Sequence, residues 1–124
     1  MKCFGNLNLG LENVQKIRIN SFDISSLDLV IADCIALLPK LDTLIFSETG
    51  LKISKSTIDY LTSLKYLASL TLGHCEYTED IFTASQEIFK RLELLVIKNE
   101  FLLSNEKIKD ITGNQKLMIM RLFS

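Results

Sequence analysis

The chain has 124 residues, 48% hydrophobic and 23% charged, which is the size and balance of one globular domain and too little for two well-cored ones. Its 14 Lys and Arg against 15 Asp and Glu leave a net charge of -1, which excludes broad phosphate tracking on nucleic acid or on an anionic membrane. One His, no Trp and three widely spaced cysteines without a C-x-x-C pair provide few parts for acid–base, metal or redox chemistry, whereas 22 Leu and 14 Ile dominate the composition.

The N-terminal stretch MKCFGNLNLG has no apolar run long enough for a signal peptide, and no window nears 18 uninterrupted apolar residues. With the odd cysteine count, this points to a reducing, intracellular setting, most simply the cytoplasm. From Val14 onward one apolar frame recurs: VQKIRINSFDI from Val14, LDTLIFSETGL from Leu41, LASLTLGHCEY from Leu67, LELLVIKNEFL from Leu92 and LMIMRLFS from Leu117. The spacings are 27, 26, 25 and 25 residues, and each copy is apolar at its first, fourth and sixth places. The fourth-to-sixth stretch alternates apolar with other residues, the period of a short strand with one buried face. Three places upstream of each copy stand Leu11, Leu38, Leu64 and Phe89, a series that Asn114 breaks.

Behind each predicted strand the period lengthens to that of a helix. In the first copy Leu27, Val30, Ile31, Cys34, Leu37 and Leu38 form one stripe, with Ser25…Asp28 as a capping box. The second copy has Ile58, Leu61 and Leu64, with Ser56…Asp59 as its box. In the third, Thr78-Glu79-Asp80 precedes Ile81, Phe82, Ser85, Ile88 and Phe89. Ser104-Asn105-Glu106 precedes the weaker Ile108 and Ile111 of the fourth. Hydroxyls and acids at these points satisfy orphan N–H groups and suit the helix dipole.

A strand–turn–helix unit carrying L-x-x-L-x-L resembles the leucine-rich repeat family, over nearly the whole chain. The third copy, LASLTLGHCEYTEDIF, is most similar to the cysteine-containing repeats of F-box ubiquitin-ligase receptors, with Cys75 at the ninth position. Irregular copies of this kind are also similar to the repeats of plant immune receptors. The family's ninth position, usually Asn or Cys, is here Phe22, Thr49, Cys75 and Glu100, so a continuous side-chain ladder between turns is not expected. The resemblance implies an α/β fold, a single right-handed solenoid over residues 1–124 with about five parallel strands on a concave face and helices on the convex one. It is either a stand-alone unit or a piece of a longer array.

In that architecture the third, fifth and seventh residues of each copy face the concave side. This marks Lys16, Arg18, Ile45, Thr71, Leu94, Val96, Lys98, Ile119, Arg121 and Phe123 as partner-binding candidates. Ile45, Leu94, Val96, Ile119 and Phe123 would form an apolar patch larger than a soluble monomer usually leaves exposed. His74-Cys75 beside Glu76, Glu79 and Asp80 is the one cluster of potential metal ligands, but neighbours at a strand end point in opposite directions. Neither a nucleophile–base pair nor a Gly-rich phosphate loop is present. The expectation is a module without catalysis, cofactor or metal that holds a protein partner or peptide segment, with a substrate destined for ubiquitination as what the F-box resemblance implies. The alternative is a structural piece or cap that self-associates through an open edge at strand 117–123. No nucleic-acid or membrane partner is expected.

Overall fold

The computed structural model describes residues 13–19, 31–32, 36–47, 51–84 and 86–122. Outside them lie Cys3, Leu11, Phe22, Leu27, Val30, Cys34, Thr49, Ser85 and Phe123, and the expected Ser25…Asp28 cap. The described strands form one all-parallel sheet whose spatial order is the chain order: β1 (Lys16–Ile19), β2 (Thr43–Phe46), β3 (Ser69–Thr71), β4 (Leu94–Lys98) and β5 (Met118–Leu122). Parallel neighbours need long crossovers. Helix α1 (Lys55–Thr62) lies between β2 and β3, α2 (Ile81–Ala84) and α3 (Gln86–Arg91) between β3 and β4, and α4 (Asn105–Thr112) between β4 and β5. Residues 31–32 and 36–37, between β1 and β2, are helical as well. The helices pack against one another, α1 on α2 and α3, and α4 on α2 and α3.

Alternation along the strands builds the core. Ile17, Leu44, Leu70, Leu95 and Ile119 stand in one row of the ladder, each opposite the next. All are buried except Ile119, which is half-buried against the same cluster. The first-position residues Leu41, Leu67, Leu92 and Leu117 are buried too, and the helices contribute Ile58, Leu61, Phe82, Ile88, Phe89 and Ile108. Ring contacts at 5.0 Å between Phe82 and Phe89 and 5.8 Å between Phe82 and Phe101 tie the third and fourth units together.

The strand starts share a hydrogen-bond device that departs from the expected frame at the last copy. The N–H groups of Asp42 and Thr43 both donate to the Gln15 carbonyl, those of Ala68 and Ser69 to Asp42, and those of Glu93 and Leu94 to Ala68. At β5 a single donor, Met118 N–H, reaches Glu93. One residue is thus missing between Leu117 and its strand, and the ladder pairs Leu94 with Met118 and Leu95 with Ile119. The expected frame placed Met120 opposite Leu95. The slip turns over every side chain of the strand: Ile119 and Arg121 face the helices, while Met118, Met120 and Leu122 face away.

Cap chemistry is half as expected. Ser104 caps α4, accepting from Lys107 N–H at 3.1 Å, and Gly113 closes it with a left-handed φ of 72°. For α1 the cap is Ser54 rather than Ser56, with Thr57 completing a reciprocal box, so the helix begins earlier than the Ser56…Asp59 spacing suggested. Three long polar side chains then satisfy carbonyls of the preceding unit. Arg91 Nη2 donates to Thr62 and Leu64 carbonyls at 3.0 and 2.6 Å, closing the end of α1. Asn114 Nδ2 donates to Phe89 and Leu92 at 2.8 Å, closing α3, so the residue that breaks the apolar series is a helix cap. Arg121 holds the loop before α4 through Phe101 O and Asn105 Oδ1, both at 2.9 Å, and through Leu103 O.

Two stability tests follow from this packing. Leu70→Ala should cost about 2–5 kcal/mol in urea denaturation, because the side chain is fully buried, whereas exposed Arg18→Ala should cost no more than about 0.5 kcal/mol. Comparable losses would contradict the assigned faces. Arg121→Met should cost about 1–3 kcal/mol through the acceptors it leaves unpaired; an unchanged unfolding midpoint would contradict the clamp.

Candidate partner-binding surface

The strand face away from the helices is assembled from alternate residues of all five strands. On β1, Lys16 and Arg18 are exposed. Next come half-buried Thr43 and Ile45 on β2, then Ser69 and Thr71 on β3. On β4, Leu94 and Lys98 are half-buried, but Val96 is only 8% exposed and so belongs to the floor of the face rather than to an exposed patch. Two of the predicted site residues, Ile119 and Arg121, are not on this face: the one-residue slip of β5 sends them to the helix side. Phe123 is outside the described residues.

Met118 and Met120, 62% and 50% exposed, stand where Ile119 and Arg121 were expected. Leu122 joins them and reaches over β4, such that a Cβ on Gly73 would come within 2.7 Å of its Cδ1. The apolar end of the face is therefore Leu94, Met118, Met120 and Leu122. Sequence reasoning missed the methionines, since in MIMRL the set Met118, Met120 and Leu122 is wholly apolar while the other set holds Arg121, and the pattern favours burying the set that the strand turns outward.

At the N-terminal ends of the strands the face opens into a cleft of about 640 Å³, lined among others by Lys40, Asp42, Tyr66, Glu93 and Leu94. Lys40 is drawn to Asn13 at 3.4 Å, and Asp42 accepts the Thr43 hydroxyl at 2.7 Å. Tyr66 is among the few large apolar side chains left in solvent, and no spacing rule marked it.

At the opposite strand ends, Cys75 is buried and its Sγ donates to the Phe46 carbonyl at 3.6 Å, bridging adjacent units, while His74 is exposed. Burial pushes the Cys75 thiol from an ordinary 9.0 up to about 12, against a smaller pull from Lys98. Tyr77 is raised from 10.0 to about 12, also mainly by burial; its hydroxyl accepts the Lys98 N–H at 3.3 Å. Lys98 Nζ lies 5.4 Å over the Tyr77 ring. A thiol so hard to ionise is a poor nucleophile at neutral pH. Among the described residues, no three His, Cys, Asp or Glu side chains are placed to share a metal ion. Among the same residues, no helix is long and apolar enough to cross a membrane.

No protein-family model matches the chain, and no curated protein matches it.

The raised thiol and phenol give a pH test. The unfolded chain releases these protons at lower pH than the folded one, so stability present below about pH 9 is lost as the pH rises towards about 12. Denaturant midpoints measured across that window should fall, and Cys75→Ala should make the decline shallower. An equal slope in both proteins would contradict a buried thiol at position 75.

Proposed function

We propose that the chain is a non-catalytic protein–protein interaction module of the leucine-rich-repeat type, a right-handed solenoid whose strand face holds a partner. The observation that carries this reading is the open sheet face, which keeps Met118 and Met120 in solvent beside Leu94. Apolar surface held in water by a rigid sheet is costly unless something covers it. Strict chain-order pairing of the strands and the Cys75 bond to the neighbouring unit support the repeat reading. A five-strand sheet is about 20 Å across. Its whole face is close to the roughly 800 Å² that one side of a standard interface uses. The similarity of residues 67–82 to F-box receptor repeats makes a substrate held for ubiquitination one form of that partner. A partner recovered by affinity purification from cells should be lost on Thr71→Arg, in mid-face, and retained on charge reversal at Lys107 of α4. Retention by Thr71→Arg would refute the assigned surface.

A second reading is self-association. Among the described residues β5 pairs with β4 alone, leaving one edge of the strand open beside its exposed methionines. Met120→Lys should then shift sedimentation towards monomer. Ile119→Pro is a poor probe, since Ile119 packs on the core. A monomer at tens of micromolar, about where open edges aggregate, would remove this reading.

A further inference from the structure

The chemistry of the open face is directional from β1 to β5, and it restricts what can lie on it. Lys16 and Arg18 are both exposed on β1, and neither pairs with a carboxylate of a described residue. No Asp or Glu stands on the described strand face; its charged residues are these two and Lys98. β2 and β3 contribute Thr43, Ser69 and Thr71, small hydroxyls able to exchange hydrogen bonds with peptide groups, and half-buried Ile45 opposite Arg18. β4 and β5 contribute Leu94, Met118, Met120 and Leu122. The rim cleft at the strand starts carries Lys40 with Asp42 and Glu93, one cation and two carboxylates, so it is set apart from the strand face by its net negative lining.

Resting on the interaction-module reading above, we infer that this face takes an extended polypeptide segment that crosses the strands, with carboxylates at its β1 end and aliphatic side chains at its β4–β5 end. Strands about 4.8 Å apart give a path of about 19 Å, which an extended chain at about 3.3 Å per residue covers in about six residues. The sign follows from Lys16 and Arg18, exposed cations with no carboxylate in a salt bridge to them among the described residues. A second copy does not fit as the face-to-face occupant, because cations would meet a face with no carboxylate among its described strand residues. Single-stranded nucleic acid fits poorly, because it needs cations along its whole track and aromatic platforms, and the described strand face has no aromatic side chain. Methionines suit the aliphatic end, since their flexible thioethers adapt to varied side chains.

The test is selection from a displayed library of random heptapeptides on the unmodified chain, on the Lys16→Glu/Arg18→Glu variant and on Thr71→Arg. The unmodified chain should enrich Asp or Glu at one end and Leu, Ile, Val or Met at the other. The charge-reversed variant should switch the first end to Lys or Arg. The leading peptide, labelled and titrated by fluorescence anisotropy, should bind the charge-reversed variant about tenfold or more weakly. Enrichment without an acidic bias but lost on Thr71→Arg would overturn this inference and leave the interaction surface standing. So would a short single strand of thymidines that binds tighter than the selected peptides. No enriched sequence, or enrichment indifferent to Thr71→Arg, would remove both.

Discussion

What the sheet shows to solvent is governed by ladder register, because a strand's side chains alternate and one residue of slip exchanges its faces. Register here is set at the strand starts. The paired donations of Asp42 and Thr43 to Gln15, of Ala68 and Ser69 to Asp42, and of Glu93 and Leu94 to Ala68 bring the next strand in at a fixed phase after its buried first-position leucine. The row from Ile17 to Ile119 then falls into the core. At β5 the doublet shrinks to one donor, Met118 N–H, and the strand enters one residue early. That loss moves an arginine to the helix side and two methionines to the open side.

The turned-over arginine is accommodated because the helix side of the sheet is bordered by carbonyls as well as by aliphatic side chains. Short helices leave their last carbonyls without intrahelical donors. In this chain a residue from the following unit supplies them: Arg91 for α1 and Asn114 for α3, with Arg121 doing the same for the loop that leads into α4. Each bond spans two units, so satisfaction of backbone polar groups is coupled to the stacking of neighbours. For β5 the coupling reaches the strand itself, since it cannot shift without breaking the bonds from Arg121 to Phe101 O and Asn105 Oδ1.

Much of this was legible in the sequence, for physical reasons that also explain what was not. The L-x-x-L-x-L frame located β1 to β4 and their buried residues correctly, since the first-, fourth- and sixth-place residues keep one phase from copy to copy, even where Ile45, Leu94 and Val96 make the intervening places apolar too. Cys75 and His74 divided as expected between interior and solvent, and Ser104 capped its helix. In MIMRL the wholly apolar alternate set is the one turned outward, so the pattern points the wrong way and a backbone hydrogen-bond count decides instead. Ser54 and Ser56 are both plausible caps, and the choice fell to Thr57, whose hydroxyl returns the bond. The stripe from Ile81 to Phe89 is helical at Ile81–Ala84 and Gln86–Arg91, with residue 85 between them outside the described residues. Val96 was misjudged because alternation assigns a face but not a depth. It lies on the correct face, sunk between neighbours.

Net charge is a poor guide to such a surface. The chain as a whole is at -1, yet its open face carries cations and no carboxylate among the described residues. The acids stand elsewhere: Asp42 and Glu93 at the rim cleft, Glu79 and Asp80 ahead of α2, Glu106 in the first turn of α4. Screening then separates the two ends of the face. The Debye length is about 8–10 Å in physiological salt, while the sheet is about 20 Å across. A group lying over β5 therefore hardly feels Lys16 and Arg18, and what it meets is mainly thioether and aliphatic surface, with Lys98, opposite Leu122, at one end of it. A group lying over β1 meets two cations, with half-buried Ile45 beside Arg18 as the neighbouring apolar side chain. An occupant of uniform chemistry would suit one end and waste the other, whereas a segment whose character changes over a few residues matches both.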